Sequence, residues 1–68
     1  MIPVRSSNLA GVDYDQWSGT LTIAFHNGRV YEYFHVPSRL VEQLLAAASL
    51  GQFHASLIKN VFAFRRIR

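Results

Sequence analysis

Basic side chains are concentrated at the end of this chain. The last ten residues carry a net charge of +4 and no acidic residue, and the cations are Lys59, Arg65, Arg66 and Arg68. The preceding 58 residues hold three arginines and four acids, so their net charge is −1 and the whole excess lies in the final segment. Clustered cations commonly contact phosphate groups. We therefore predict that these four residues bind nucleic acid, with a solvated basic tail as the alternative.

Aromatic side chains could stack on bases beside these cations. Tyr31 and Tyr33 alternate along a predicted strand, and aromatic residues on a sheet are the usual platform for single-stranded RNA. The alternative is that both tyrosines face the core. If the last strand is regular, one of its faces carries aromatics followed by arginines, namely Phe62, Phe64, Arg66 and Arg68. We include Tyr31 and Tyr33 in the predicted nucleic-acid site.

No motif indicates catalysis. No serine lies in a G-x-S-x-G elbow, and the chain lacks a P-loop, a G-x-G-x-x-G loop and an H-E-x-x-H pair. His26, His35 and His54 have no partner at metal-ligand spacing, and we expect surface positions or satisfied packing for them. Asp13 and Asp15 share a strand face and could hold a cation, although an exposed turn also explains them. We predict a protein that is not an enzyme and uses no metal or cofactor.

The length and composition favour one small folded domain over residues 1–68. Half of the 68 residues are hydrophobic, which argues against intrinsic disorder. There is no cysteine, so a disulfide cannot support the fold, and a dense apolar core or self-association must do so. No run of 18 apolar residues predicts a membrane span, and the N-terminus does not have the pattern of a signal peptide. We expect a cytoplasmic protein.

The first half of the chain reads as strands. Residues 2–5 begin extended, residues 9–14 resume strand character, and residues 20–25 alternate between apolar and small polar side chains. Asn27-Gly28 predicts a tight hairpin into residues 29–36. Trp17 lies in the turn before the third of these segments, and we expect it to fold back over the core, the alternative being an exposed binding residue.

Two hairpin registers are possible, and they place opposite side chains on the apolar face. A two-residue turn sets Glu32 opposite Ile23 and directs this carboxylate toward the core. A three-residue turn with a glycine bulge instead sets Phe25 opposite Arg29, Ile23 opposite Tyr31 and Leu21 opposite Tyr33. Because burying an unpaired carboxylate is costly, we prefer the bulged register. It turns Tyr31 and Tyr33 toward the core and Glu32 outward.

The second half predicts two helices and a last strand. Pro37 favours a helix start, and the following apolar stripe is Leu40, Val41, Leu44, Leu45 and Ala48. Ser49 and Gln52 form a capping box that begins a second helix through about Lys59, with Phe53, Leu57 and Ile58 facing inward. Residues 61–67 are strand-like. The expected fold is α+β, a small antiparallel sheet with two short helices on one face, in the order β-β-β-α-α-β.

Several short motifs, taken in their order along the sequence, resemble the KTSC domain, a family named for the C-terminal region of some lysyl-tRNA synthetases. The matching residues are Ser6-Ser7-Asn8, Gly11, Tyr14-Asp15, Leu21, Phe25, Asn27-Gly28, Tyr31-Glu32-Tyr33, Val36-Pro37, Ala48-Ser49, Gly51, Phe53 and Ile58-Lys59. The resemblance covers residues 4–64. It implies a small domain found alone in bacterial and phage proteins or appended to a synthetase, with RNA binding suggested by that fusion.

These observations lead to two functional hypotheses. The first is an RNA-binding accessory domain that contacts tRNA or single-stranded RNA through the basic C-terminal segment. The second is a protein-interaction module of a bacterial or phage protein that docks on a partner or forms a homodimer, because small domains bury little of their surface and can leave strand edges unpaired.

Overall fold

A computed structural model describes all residues from Met1 to Arg68. Five strands form one antiparallel sheet in sequence order, and the helices lie between the fourth and fifth strands. The elements are β1 (Ile2–Pro3), β2 (Leu9–Asp15), β3 (Thr20–Phe25), β4 (Val30–Tyr33), α1 (Ser38–Ala46), α2 (Leu50–Phe53), a π-helix (His54–Ile58) and β5 (Phe64–Arg66). The α+β prediction is confirmed. The short N-terminal strand β1 adds an edge to the sheet beside β2.

The β3–β4 hairpin adopts the bulged register. Ile23 lies opposite Tyr31 and Leu21 opposite Tyr33, as the cost of burying Glu32 predicted. The Phe25 amide donates to the Arg29 carbonyl oxygen, and the Gly28 amide donates to the Phe25 carbonyl oxygen. Gly28 has a φ angle of +90°, which an L side chain rarely adopts, so glycine suits this turn.

A single apolar core lies between one face of the sheet and the helices. Ten buried hydrophobic side chains form it: Leu9, Val12, Leu21, Ile23, Tyr33, Val36, Val41, Leu44, Leu50 and Ile58. Half of these residues come from the strands, and half follow β4. The opposite face of the sheet, which we call the outer face, carries the alternate side chains such as Thr22 and Glu32.

The two helical segments begin where the sequence predicted. Pro37 precedes α1, and the Ser49 hydroxyl accepts a hydrogen bond from the Gln52 amide at 3.3 Å at the start of α2. The expected inward position of Leu57 is wrong, since this side chain is exposed. The π-helix that continues α2 widens the turn and directs His54 and Ile58 toward the core instead.

Trp17 does not fold back over the core. Its side chain is 92% exposed, in a turn held by hydrogen bonds from the Trp17 amide to the Asp15 carboxylate and from the Gly19 amide to the Asp15 carbonyl oxygen. The space beside this turn is occupied by the segment after β4. There the Val36 amide donates to the Gly19 carbonyl oxygen at 2.9 Å, and the Tyr14 hydroxyl donates to the Val36 carbonyl oxygen at 2.6 Å. That end of the core is therefore closed without the indole.

The last strand is shorter than predicted. Only Phe64–Arg66 pairs as β5, because the amides of Val61 and Phe62 donate to the Ile58 carbonyl oxygen in a turn that follows the π-helix. The amides of residues 67 and 68 continue the edge by donating to the Val30 carbonyl oxygen.

Candidate functional site

A cavity of about 270 Å³ opens beside the β3–β4 turn, between the sheet and the end of the π-helix. We call it the aromatic pocket. Its lining residues are Phe25, Asn27, Arg29, Tyr31, Tyr33, His54, Lys59, Asn60 and Phe64. Rings from three strands and an imidazole from the π-helix form its walls, two cations and two amides complete it, and no acidic side chain is among them.

The rings of the aromatic pocket hold one another in edge-to-face or tilted arrangements. The ring centroids of Tyr31 lie 5.7 Å from Phe25 and 5.8 Å from Phe64. Aromatic pairs at such separations add about 0.5–1.5 kcal/mol to the burial of their surfaces. Tyr31 is half-buried and Phe64 is 56% exposed, so both present ring surface to solvent. The strand pairing that brings β4 beside β5 thus builds an accessible aromatic surface.

Tyr33 forms the floor of the pocket and is only 2% exposed. Its hydroxyl lies 2.7 Å from Nε2 of the buried His54. Burial, with a smaller contribution from Tyr31, raises the pKa of Tyr33 to about 12. Burial, with a smaller contribution from the charge of Lys59, lowers the pKa of His54. Both side chains are therefore neutral near pH 7, and a single hydrogen bond joins the hydroxyl to the imidazole.

Two unusual backbone features position the cation of the helical wall. The wide turn of the π-helix ends where the Lys59 amide donates to the His54 carbonyl oxygen at 2.8 Å. Asn60 follows with a φ angle of +64°, in the left-handed region that asparagine tolerates better than most residues. π-Turns and left-handed residues are frequent at functional sites. Here they place Lys59 and Asn60 together at the pocket.

Arg29 is a pocket residue that the sequence-based prediction of the site missed. It follows the β3–β4 turn, where its amide donates to the Asn27 side-chain oxygen at 3.0 Å. The available signal was the bulged register, which sets Arg29 directly opposite Phe25. Residues that lie directly opposite each other in an antiparallel pair have side chains on the same face of the sheet. The bulged register therefore already predicted that Arg29 lies on the same face as the Phe25 ring.

The four predicted C-terminal cations do not form one patch. Lys59 lines the aromatic pocket, and Arg66 lies opposite Tyr31 on the same side of the sheet. Arg65 lies opposite Glu32 on the outer face, where its guanidinium nitrogen is 2.7 Å from the carboxylate. The alternation of side chains along β5 separates these two neighbouring arginines.

Arg68 also lies with the outer face. It lines a shallow cavity there together with Met1, Thr22, Ala24, Val30 and Ile67. The prediction that it shares a face with Phe64 and Arg66 is therefore wrong, because regular pairing ends at Arg66. Lys59 and Arg66, joined by Arg29, remain as the cations on the pocket side.

The burial of Tyr33 also changes the aromatic part of the predicted site. Its ring has almost no exposed face on which a base could stack, whereas Tyr31 keeps part of its surface accessible. The residue that joins Tyr31 at the surface is Phe64, its tilted neighbour across the β4–β5 pair. That the six predicted residues bind nucleic acid stays a prediction.

A second cavity adjoins the aromatic pocket at the turn. We call it the polar pocket; its lining residues are Ser7, Asn8, Phe25, His26, Asn27, Gly51, His54, Ala55 and Lys59, and its volume is about 590 Å³. Four of these residues also line the aromatic pocket, namely Phe25, Asn27, His54 and Lys59. The two cavities therefore adjoin, and we call the surface that they form together the groove.

Nowhere in the structure do three or more histidine, aspartate or glutamate side chains come together as a metal site would require. None of the helices combines the length and the apolar character needed to cross a bilayer.

The fold and the groove define a small α+β domain with an aromatic, cation-bearing groove beside its sheet. The chain belongs to the KTSC domain family, whose family model matches residues 5–62. A solved KTSC domain protein from Yersinia pestis superimposes with a TM-score of 0.91 at 36% identity, over 97% of this chain and 93% of that one. The similarity that the ordered motifs indicated is thus confirmed in sequence and in structure.

Relatives occur in proteins of very different length. A lysine–tRNA ligase from Nostoc punctiforme is 46% identical over 67 residues, which are 98% of this chain and 12% of that protein. A protein from Tsukamurella paurometabola is 37% identical over 62 residues, which are 91% of this chain and 92% of that protein. The chain thus spans only a small part of the ligases that it matches, and almost all of the shorter relative.

The Tyr33–His54 hydrogen bond can be tested by removing one hydroxyl. We expect Tyr33→Phe to lower the free energy of unfolding by about 1–3 kcal/mol, because it leaves a buried imidazole nitrogen without a partner. Tyr31→Phe is the matched control, since the Tyr31 hydroxyl makes no hydrogen bond within the chain. Urea denaturation measures both. Equal stabilities of the two variants would contradict a structural role for this hydrogen bond.

The lowered pKa of His54 predicts a pH dependence of stability. The unfolded chain protonates this residue near pH 6.5, whereas the folded chain resists protonation until a lower pH. The unfolded state therefore binds more protons in this interval, and the free energy of unfolding falls with acidification by at most about 1.4 kcal/mol per pH unit. His54→Gln should reduce this slope between pH 7 and 5. Identical slopes for both proteins would show that His54 titrates alike in the folded and unfolded chains.

Proposed function

We propose that this domain is a non-catalytic RNA-binding module and that the aromatic pocket holds one unpaired base. The observation that carries the proposal is the joint placement of accessible rings and unpaired cations at one cavity. Recognition of RNA by proteins commonly uses single-stranded segments whose bases stack on aromatic side chains. The pocket offers this chemistry on one side of the sheet.

The accessible rings of Tyr31 and Phe64 are the proposed stacking surface. Each is held by neighbours across the sheet, so a base would meet a preformed surface and the rings would lose little freedom on binding. Stacking of a base on an aromatic side chain contributes about 1–3 kcal/mol. This range is enough for detectable affinity when phosphate contacts are added.

Arg29 and Lys59 are the proposed phosphate contacts. Both are exposed, and the single ion pair of the structure joins Arg65 to Glu32 on the other face of the sheet. The absence of acidic residues from the pocket leaves an anionic backbone free of local repulsion. Arg66, opposite Tyr31, extends this basic surface along β5.

The relatives support RNA as the partner. Three relatives, from Nostoc punctiforme, Trichormus variabilis and another Nostoc strain, are lysine–tRNA ligases. By their name these enzymes act on tRNA. A domain that binds RNA within such an enzyme would therefore bind the tRNA on which the enzyme acts. We propose the same class of ligand for this chain.

Salt-dependent titration tests the phosphate contacts. We expect Arg29→Ala combined with Lys59→Ala to weaken binding of a labelled single-stranded RNA and to reduce the slope of log K against log salt by about 1.4, since each phosphate contact contributes about 0.7. Fluorescence anisotropy between about 50 and 200 mM salt measures both quantities, because the affinity for nucleic acid falls steeply with salt concentration over this interval.

The matched control removes two other arginines. Arg5→Ala with Arg39→Ala changes the net charge equally but alters no residue of either cavity in the groove. Equal losses of RNA affinity in the two double variants would contradict a local binding site and indicate only a general electrostatic attraction between the protein and RNA. Absence of RNA binding by the wild type would contradict the proposal itself. It would favour the protein-interaction hypothesis, for which the exposed Trp17 is the available anchor.

The two neighbouring arginines of β5 give a second, internal comparison. We expect Arg66→Ala to weaken RNA binding, because this residue lies beside Tyr31, and Arg65→Ala to leave it nearly unchanged, because Glu32 holds Arg65 on the outer face. The same anisotropy titration measures both variants. A larger loss with Arg65→Ala would place the RNA on the outer face instead of in the aromatic pocket.

A further inference from the structure

The polar pocket extends the aromatic pocket in one direction. The two cavities share four lining residues, of which Asn27 and Lys59 are the exposed polar ones. The aromatic pocket, at about 270 Å³, is slightly smaller than the 300–1,000 Å³ typical of small-molecule sites. It suits a single base, so the sugar and phosphate attached to that base must lie outside it, and the adjoining cavity is where the groove continues.

Two side chains of the polar pocket have unused hydrogen-bonding groups. The Ser7 hydroxyl and the Asn8 side-chain amide make no hydrogen bond within the chain, although their neighbours do. The Asn8 amide lies against Gly51, where an added Cβ would come 3.0 Å from the amide nitrogen. Both groups can donate and accept. They are therefore available to a ligand that does the same.

The segment that carries these side chains is held in place on both sides. The Ser6 hydroxyl accepts hydrogen bonds from the amides of Asn8 and Leu9, each at 3.2 Å. The His26 amide donates to the Asn8 carbonyl oxygen, and the His26 ring lies 2.9 Å from the Ser6 carbonyl oxygen. Because these bonds join the segment to the β3–β4 turn, the polar groups keep a defined position relative to the aromatic pocket.

We propose that the polar pocket receives the ribose of the bound nucleotide and that Ser7 and Asn8 hydrogen-bond its 2′-hydroxyl. The domain then selects RNA over DNA. The 2′-hydroxyl both donates and accepts, and it is the group that distinguishes the two nucleic acids. Lys59, at the junction of the cavities, lies where the phosphate next to that ribose would pass. This inference rests on the proposed function and adds to it the discrimination between the ribose backbone of RNA and the deoxyribose backbone of DNA.

Three oligonucleotides of one sequence test the inference at a fixed salt concentration: RNA, DNA and 2′-O-methyl RNA. We expect the wild-type protein to bind RNA roughly 3- to 10-fold more tightly than DNA, the factor that one or two net hydrogen bonds supply. The methylated RNA should bind like DNA, because the methyl group removes the donor and fills space beside Asn8. Anisotropy of labelled oligonucleotides measures all three affinities.

The variants assign the effect to particular side chains. Ser7→Ala with Asn8→Ala should lower RNA affinity to that of DNA while leaving DNA affinity unchanged. The matched control, Ser56→Ala with Gln43→Ala, removes an exposed hydroxyl and an exposed amide that line neither cavity, and it should keep the preference for RNA. Unchanged circular dichroism verifies that each variant is folded.

The outcomes separate this inference from the proposed function. Equal affinity of the wild type for RNA and DNA would overturn the inference and leave nucleic-acid binding intact. A preference that survives in the Ser7→Ala, Asn8→Ala variant, or tight binding of the methylated RNA, would overturn the assignment of the 2′-hydroxyl to these residues. Failure to bind any of the oligonucleotides would overturn the proposed function together with the inference.

Discussion

The pairing of β3 with β4 is the constraint on which the rest of the structure depends. A strand that slips by one residue exchanges its two faces, and the alternative register would bury Glu32 beside Ile23. The turn of Asn27 and Gly28 accommodates the extra residue that avoids this. The same register turns Tyr31 and Tyr33 toward the helices and brings Arg29 to the end of the sheet. The register of the β3–β4 hairpin therefore determines both the composition of the core and the position of the candidate site.

A single buried hydrogen bond then joins this hairpin to the helical layer. The Tyr33 hydroxyl meets the His54 imidazole, and the π-helix supplies the wide turn that presents this side chain inward. A regular α-helical turn would rotate the following residues relative to the sheet. With the π-turn, Lys59 leaves the helix beside the aromatic rings. The buried hydrogen bond between Tyr33 and His54 thus helps to position Lys59 at the surface.

The alternation of side chains along β5 gives the C-terminal charge its arrangement. Arg65 is neutralised by Glu32 on the outer face, while Arg66 stands beside Tyr31. A strongly basic segment therefore contributes only part of its charge to the aromatic side of the domain. Arg29, which lies far from that segment in sequence, restores a second cation there. The basic surface is a property of the folded sheet and not of the terminal residues alone.

Local chemistry by itself determined much of this protein. The hairpin register followed from the cost of a buried carboxylate, the start of α2 from the Ser49 cap, and the family from the order of short motifs. Only the tertiary structure decided the rest. Trp17 is exposed because Val36 and Tyr14 close the core beside its turn, and Arg68 moves to the outer face because strand pairing ends before it. The aromatic pocket itself joins residues 25–33 to residues 54–64, and such long-range contacts depend on packing between segments that no local pattern encodes.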